Sequence, residues 1–442
     1  MKISTILALL ISTLFITSCK EKPTEPNILI VDDSLTISNS IKLKHNWSDF
    51  DKISLSFTKS DLDSTAEYTY VLERKGNNYS IETYFRNIKK DTTVIINAES
   101  GGLIKGITYQ YMVRSFHEGR LIDTSNTLKT KLLEVTTHDF VWEIDTLGEP
   151  GHSGIKGLWG VDENNVWAIG GIGLEDGGGN FIKWNGEKWS TVTNEPLAVN
   201  GIFGFSENDI WLVGYGLFQN GAAIHYNGID LTWYRFDNPT PEDTIYYLQG
   251  VWGASPDDVW AVGPQGTIIH WDGNSWTKVK SESKAFLRDI WGSSANNIYA
   301  SGLQSSGVYE LLKYDGVEWK RITGVLNSDM LSLWTVWTDK IGRVVLAGNR
   351  LAWYDGNAWN SRPYDSIFMN SLRVRGNDFN NIFIVGQERK IIHFNGTDWK
   401  KYDDIEIENS FNNLLSIAVF ENNVIIGGKT LEGTLVIYGK RK

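Results

Sequence analysis

The residues best suited to metal ligation or proton transfer near neutral pH are three histidines in one local context. They read His225-Tyr226-Asn227-Gly228, His270-Trp271-Asp272-Gly273 and His393-Phe394-Asn395-Gly396. The shared context marks one place in three copies of a repeat. Copies set equivalent residues far apart, so the three do not converge on one ion. They are expected to pack within their own copies, bonded to a first-loop residue such as Asp258 or Asn381. The loop at 171–180 holds Glu175 and Asp176 among glycines, oxygen donors that could face Ca²⁺. It lacks the alternating Asp ladder of a calcium loop, so it reads as solvated, and neither metal nor cofactor is assigned. No Gly-x-Ser-x-Gly, His-Glu-x-x-His, phosphate loop or dinucleotide fingerprint occurs, and no catalytic residue is assigned.

What must position such side chains is a repeat that begins near residue 138 and outranks every other signal. Its clearest copy runs from Leu248 to Trp276. The anchor at Trp252 recurs as Trp159, Phe203, Trp291, Trp337, Arg375 and Ala418, every 38–49 residues. A second-strand anchor (Trp167, Trp211, Trp260, Tyr299, Val345, Phe383, Ile425) is followed three residues later by glycine in all seven copies. The third strand ends in Asn-Gly or Asp-Gly at 185, 227, 272, 315, 355 and 395, which suits a tight hairpin with positive φ. Tryptophan then opens a fourth strand at 189, 233, 276, 319, 359 and 399. The seventh copy ends too early for a fourth strand, and the segment around Trp142 is expected to supply it from the front of the chain.

The pattern WG…DVWAVG…HWDG…W resembles that of tryptophan-rich bacterial β-propellers common in secreted and lipid-anchored proteins. The resemblance implies a seven-bladed β-propeller over 138–442, closed by an N-terminal strand. Eighteen of the 19 tryptophans lie between Trp142 and Trp399, so aromatic richness reads mainly as blade packing.

The front of the chain reads differently. Residues 6–16 are apolar but too short to span a bilayer, which needs about 20 residues. They end in Ile16-Thr17-Ser18-Cys19, which resembles the lipobox of bacterial lipoproteins. That resemblance implies a signal peptide at 1–18, lipidation of Cys19, and a polar tether at 19–27. With no aspartate after Cys19, an outer-membrane lipoprotein is expected, periplasmic or surface-facing. Residues 28–137 alternate at period two, with strands expected at 53–57, 68–74, 79–85, 93–97, 109–116 and 126–131. Ile104-Lys105-Gly106-Ile107-Thr108-Tyr109-Gln110-Tyr111 resembles the corner of fibronectin type III sandwiches, with Tyr109 as the corner tyrosine. The fold expected for the chain is therefore all-β, a fibronectin type III-like sandwich followed by the propeller.

A net charge of −11 argues against a nucleic-acid partner. Ligand-facing residues are sought where the repeat breaks. The candidates are Glu175, Asp176, Tyr215, Phe218, Gln219, Tyr246, Tyr247, Gln265, Gln304, Arg350 and Arg389, in loops of one face. Amide and aromatic side chains around a funnel suit a glycan or a protein segment. The first reading is a non-enzymatic, lipid-anchored envelope protein with a binding platform. The others are a glycan-active hydrolase or lyase with dispersed loop residues, and a scaffold of an envelope assembly complex.

Overall fold

A computed structural model describes residues 41–59, 69–75, 81–88, 92–97, 103–148, 154–174, 178–193, 195, 197–216, 220–236, 244–323, 333–362, 366–405, 413–431 and 433–442. Residues 1–40, with the signal-like segment, Cys19 and the tether, lie outside the described residues, as do Glu175, Asp176, Phe218 and Gln219. The chain divides into two compact units, 1–134 and 135–442. Among the described residues no helix is long and apolar enough to cross a membrane.

In the first unit, Ile41–Ser48, Lys52–Lys59 and Thr92–Asn97 form one antiparallel sheet. A second sheet runs Ile81–Ile88, Thr69–Lys75, Tyr109–His117 and Arg120–Thr124, with Leu128–Thr130 also on Tyr109–His117. Alternate residues such as Ile53, Leu55 and Phe57 meet Leu72, Tyr111 and Val113 in one core. Tyr109 is buried, and its hydroxyl accepts the Ile104 N–H at 2.9 Å. The last strand differs from expectation. The strand expected at 126–131 is shortened to Leu128–Thr130 and is preceded by an unexpected strand at Arg120–Thr124; between them Asn126 clamps Leu43 of the other sheet, accepting its N–H at 2.8 Å and donating to its carbonyl at 3.0 Å. The strand at Arg120–Thr124 follows a tight turn in which Glu118 and Gly119 both have positive φ.

Among the described residues, the second unit holds seven four-stranded antiparallel sheets. Their first strands are Gly154–Asp162, Val199–Ser206, Gly250–Ser255, Phe286–Ser294, Leu333–Thr338, Ser371–Asp378 and Asn413–Val419. Each first strand packs beside that of the next sheet, and that of the seventh packs beside that of the first. The outer strand of the seventh sheet is Phe140–Leu147, paired antiparallel with Thr434–Arg441. Trp142 opposes Gly439 there, as Trp189 opposes Trp184 in the first sheet. The tryptophans lie between sheets. Trp276 meets Trp211 of the preceding sheet at 5.2 Å, Trp319 meets Trp260 at 5.6 Å, and the Trp189 indole donates to the Tyr438 hydroxyl at 2.6 Å. Large aromatic area is thus removed from water at each junction, which is what the repeated letters encode.

The histidines pack as expected. His225 bonds Asp209 and His270 bonds Asp258, each at 2.8 Å, and His393 bonds Asn381 at 3.1 Å. Each ring lies over the aromatic of its neighbouring strand, as His270 does over Trp260 at 4.0 Å. Lys183 takes the same place over Trp167. Among the described residues no group of His, Cys, Asp and Glu could hold a metal ion.

Candidate functional site

The seven first strands surround a central channel, and its geometry starts from the repeated glycine. A Cβ on Gly170 would stand 2.0 Å from the Gly154 carbonyl, and one on Gly302 would stand 2.3 Å from that of Phe286. The missing side chain lets the second strand close tightly on the start of the first. At that pinch the register slips by one residue. Ile155 opposes Gly170 and Gly157 opposes Ile169, which leaves Lys156 as a β-bulge. The same slip leaves Asn200, Arg288, Trp334, Leu372 and Leu415 extra in their sheets. Gln249 holds that place in the third sheet, its N–H donating to Val262. A bulge re-aims the extra side chain. All seven of these side chains are half-buried, at the end of the channel where the first strands begin (its mouth), and Asn200 and Gln249 line the channel.

One step further along the strands the residues are Gly157, Gly201, Gly250, Asp289, Thr335, Arg373 and Ser416. Three are glycines, where a Cβ would meet Ile169 and Ile202 at 2.9 Å (Gly157) or the Gln249 carbonyl at 2.8 Å (Gly201), and the opposite side is filled by an ion cluster. Asp289 is 2% exposed. Its carboxylate accepts from Arg375 at 2.8 and 3.0 Å in a bidentate fork, from Arg373 at 2.9 Å, from the Thr335 hydroxyl at 2.5 Å and from the Val336 N–H at 3.1 Å. Burial alone would raise its pKa, but the two guanidinium groups override this and hold it below the usual carboxylate range. Arg375 replaces the repeat's anchor aromatic and lies over the Trp291 ring at 4.3 Å. One carboxylate against two arginines leaves a net positive channel. The enclosed volume is about 220 Å³, lined also by Trp159, Phe203 and Phe420.

On one arc of the mouth, Tyr215 and Tyr247 stack at 4.6 Å and 17°. Tyr247 meets Phe286 edge-on at 6.0 Å, and the Arg288 guanidinium lies over Phe286 at 5.0 Å and Trp334 at 4.3 Å.

No family model matches the chain, and no curated protein matches it. Among solved structures it is similar to YCF48 bound to a D1 peptide, with 15% identity and a TM-score of 0.51 over 70% of this chain and 100% of that one. The fold is a β-propeller. The chain is also similar to the WD40 β-propeller domain of Doa1 (14% identity, TM-score 0.49, 67% of this chain, 97% of that one). YCF48 from Cyanidioschyzon merolae gives 13% identity and a TM-score of 0.47 over 67% of this chain and 98% of that one.

In the propeller, Gln265, Gln304, Arg350 and Arg389 follow second strands, Tyr215 ends one, and Tyr246 and Tyr247 lie in the connection into the third sheet. Tyr215 and Tyr247 are brought together, and neighbouring Tyr246 bridges to Asn220. Gln304 is turned inward on its own hairpin, donating to Glu310 at 2.6 Å. Gln265 and Arg389 are exposed at positive φ, and Arg350 is half-buried on the turn of the fifth sheet. These four lie on four different sheets, the third, fourth, fifth and sixth. Sequence reasoning looked in the loops and missed Arg288, Asp289, Trp334 and Arg373, which lie inside first strands. The available signal was variation within the repeat itself, at the two positions before its conserved apolar pair.

Proposed function

We propose that this chain is a lipid-anchored envelope protein whose seven sheets are blades of a propeller closed by Phe140–Leu147, and whose channel mouth is a non-catalytic platform for a protein ligand. The observation that carries the reading is the contrast between frame and mouth. Seven near-equivalent frames present side chains as different as Lys156, Asn200, Trp334 and Leu415 at one bulge position. A rigid scaffold that varies where it meets a partner gains specificity without losing stability.

Two features favour binding over hydrolysis. Asp289 alone among the lining residues is a carboxylate, and it is held ionised by two arginines, so the described lining offers no acid–base pair for glycoside cleavage. The channel volume of about 220 Å³ is small beside the roughly 300–1,000 Å³ of small-molecule sites. YCF48, whose structure holds a D1 peptide, lends support to a protein ligand over a glycan.

The first unit is read as a fibronectin type III-like stalk, a reading supported by its two sheets and the Tyr109–Ile104 bond. Anchoring rests on the lipobox-like Ile16-Thr17-Ser18-Cys19. Peptide and glycan arrays probed with the whole chain test the platform. Retention of peptides with no glycan product supports it, and release of a cleaved glycan overturns it. Incorporation of labelled palmitate that is lost in Cys19→Ser tests the anchor.

A further inference from the structure

The arc of Tyr215, Tyr247, Phe286, Arg288 and Trp334 has a feature that packing alone does not explain. Arg288 is half-buried in a protein of net charge −11, yet among the described residues no carboxylate or carbonyl accepts from its guanidinium. Its Nε is buried with no hydrogen-bond partner. Arg343, Arg373, Arg375 and Arg441, which are also largely buried, each hold an oxygen acceptor. A partly buried cation with a buried, unpaired Nε and no counter-charge is unusual, because the desolvation its neighbours impose is ordinarily offset by pairing.

The rings explain how Arg288 is held. Two aromatic faces, Phe286 and Trp334, lie against the flat guanidinium. Ring contacts of this kind hold the cation without a carboxylate, so its terminal N–H groups are left to donate. Cationic Lys156 stands at the equivalent bulge of the first sheet, and the deeper Asp289 cluster carries one more arginine than carboxylate. The channel below the mouth therefore attracts anions, with the carboxylate of its lining, Asp289, already engaged.

We propose that Arg288 is a carboxylate-binding subsite for an extended peptide, taking either its C-terminal carboxylate or an Asp or Glu side chain. The inference rests on the protein-platform reading above and deepens it. A peptide is favoured over an acidic glycan because the ring faces beside the fork already carry the guanidinium. Tyr215 and Tyr247 cover each other, Phe286 meets the edge of Tyr247, and Trp334 carries the guanidinium. Sugars bind aromatic residues through such faces, whereas a carboxylate needs only the fork. The fork's two parallel N–H groups match a carboxylate bidentately.

The test uses the full chain and an array of hexapeptides in matched pairs: free acid against C-terminal amide, Asp against Asn, and Glu against Gln. The best pair is then titrated by fluorescence anisotropy. The expected result is at least tenfold weaker binding of the neutral partner. Arg288→Gln weakens the acid tenfold or more and leaves the amide unchanged. Arg288→Lys, which keeps the charge in a similar volume, retains part of the binding. Acid–amide pairs that respond identify the terminal carboxylate, and Asp–Asn or Glu–Gln pairs identify a side chain. If peptides bind but neutral partners bind equally, or Arg288→Gln and Arg288→Lys both bind as the parent does, the subsite is overturned while the platform stands. If no peptide binds in either form, both fall. If polygalacturonate binds in an Arg288-dependent way and peptides do not, the peptide assignment is overturned.

Discussion

His138 and His393 meet Nδ1 to Nδ1 at 2.8 Å, where the strand that completes the seventh sheet crosses the sixth. The proton positions follow from Asn381. Its Nδ2 donates to Phe420 and Asn377, so its Oδ1 faces His393 Nε2 and Arg441. His393 must then carry its proton on Nε2 and accept at Nδ1, and His138 donates from Nδ1. Tyr402 ties the seam further by donating to the His138 carbonyl at 2.7 Å.

This pair makes the seam pH-dependent. Burial pushes the His393 pKa down to about 2, helped by nearby His138, Arg441 and Lys400. His138 is also lowered by burial, although Asp398 opposes the shift. An unfolded imidazole titrates near ~6.5. Below that pH the unfolded chain takes up protons that the folded seam refuses. Stability is therefore full above about pH 6.5 and falls on acidification, by up to ~1.4 kcal/mol per pH unit for His393. Denaturant melts between pH 7.5 and 4.5 should show this slope, and His393→Asn should flatten it.

Removal of residues 139–147 should destabilise the whole propeller rather than fray one edge. It strips the outer strand from Thr434–Arg441 and exposes Leu435 and Ile437. Limited proteolysis should then cut in all seven sheets. A truncated chain that melts with the parent refutes the closure reading.

The pinch glycines should be intolerant. Gly302→Ala places a methyl 2.3 Å from a backbone carbonyl that cannot move alone, and a loss of about 3 kcal/mol or more is expected. At Gly216 the nearest atom is 3.3 Å away, so Gly216→Ala should stay within ~1 kcal/mol. Calorimetry of the two variants makes the comparison.

Asp289→Ala should cost ~3–5 kcal/mol, because Arg373 and Arg375 lose their only carboxylate in a buried setting. The triple variant Asp289→Leu, Arg373→Leu, Arg375→Met should recover much of that loss in chemical denaturation. Additive losses would show that the cluster is not one unit.

Tyr109→Phe should remove the bond to the Ile104 N–H at a cost of about 1–3 kcal/mol. The effect should be confined to the first unit. Differential scanning calorimetry should show its transition lowered and that of the propeller unmoved.

The frame was legible because blade building uses large, repeated letters. Trp252, Gly263 and the Asp272-Gly273 turn each do one mechanical job, and each recurs at a spacing that counts off strands. Even the displaced strand at Trp142 could be found, because six tryptophans had already defined its role. Tyr109 was legible for the same reason, within a motif of fixed spacing. The late start of the strand expected at 126–131 was not, since it depends on Asn126 meeting Leu43, 83 residues away.

The site divides along the same line. Tyr215 and Tyr247 are named by composition, but their stacking depends on how two sheets approach. Arg288 and Trp334 look like ordinary strand residues until the bulge turns them into the mouth. Arg373 and Asp289 are 84 positions apart, and only the ring brings their charges to 2.9 Å. The sequence by itself determined the repeat, its strand order and the job of the tryptophans that recur in it, because these follow from local spacing. Only the tertiary structure decided which side chains share the channel, because a one-residue slip in register selects which residue leaves the sheet, and closure of the ring selects its neighbours.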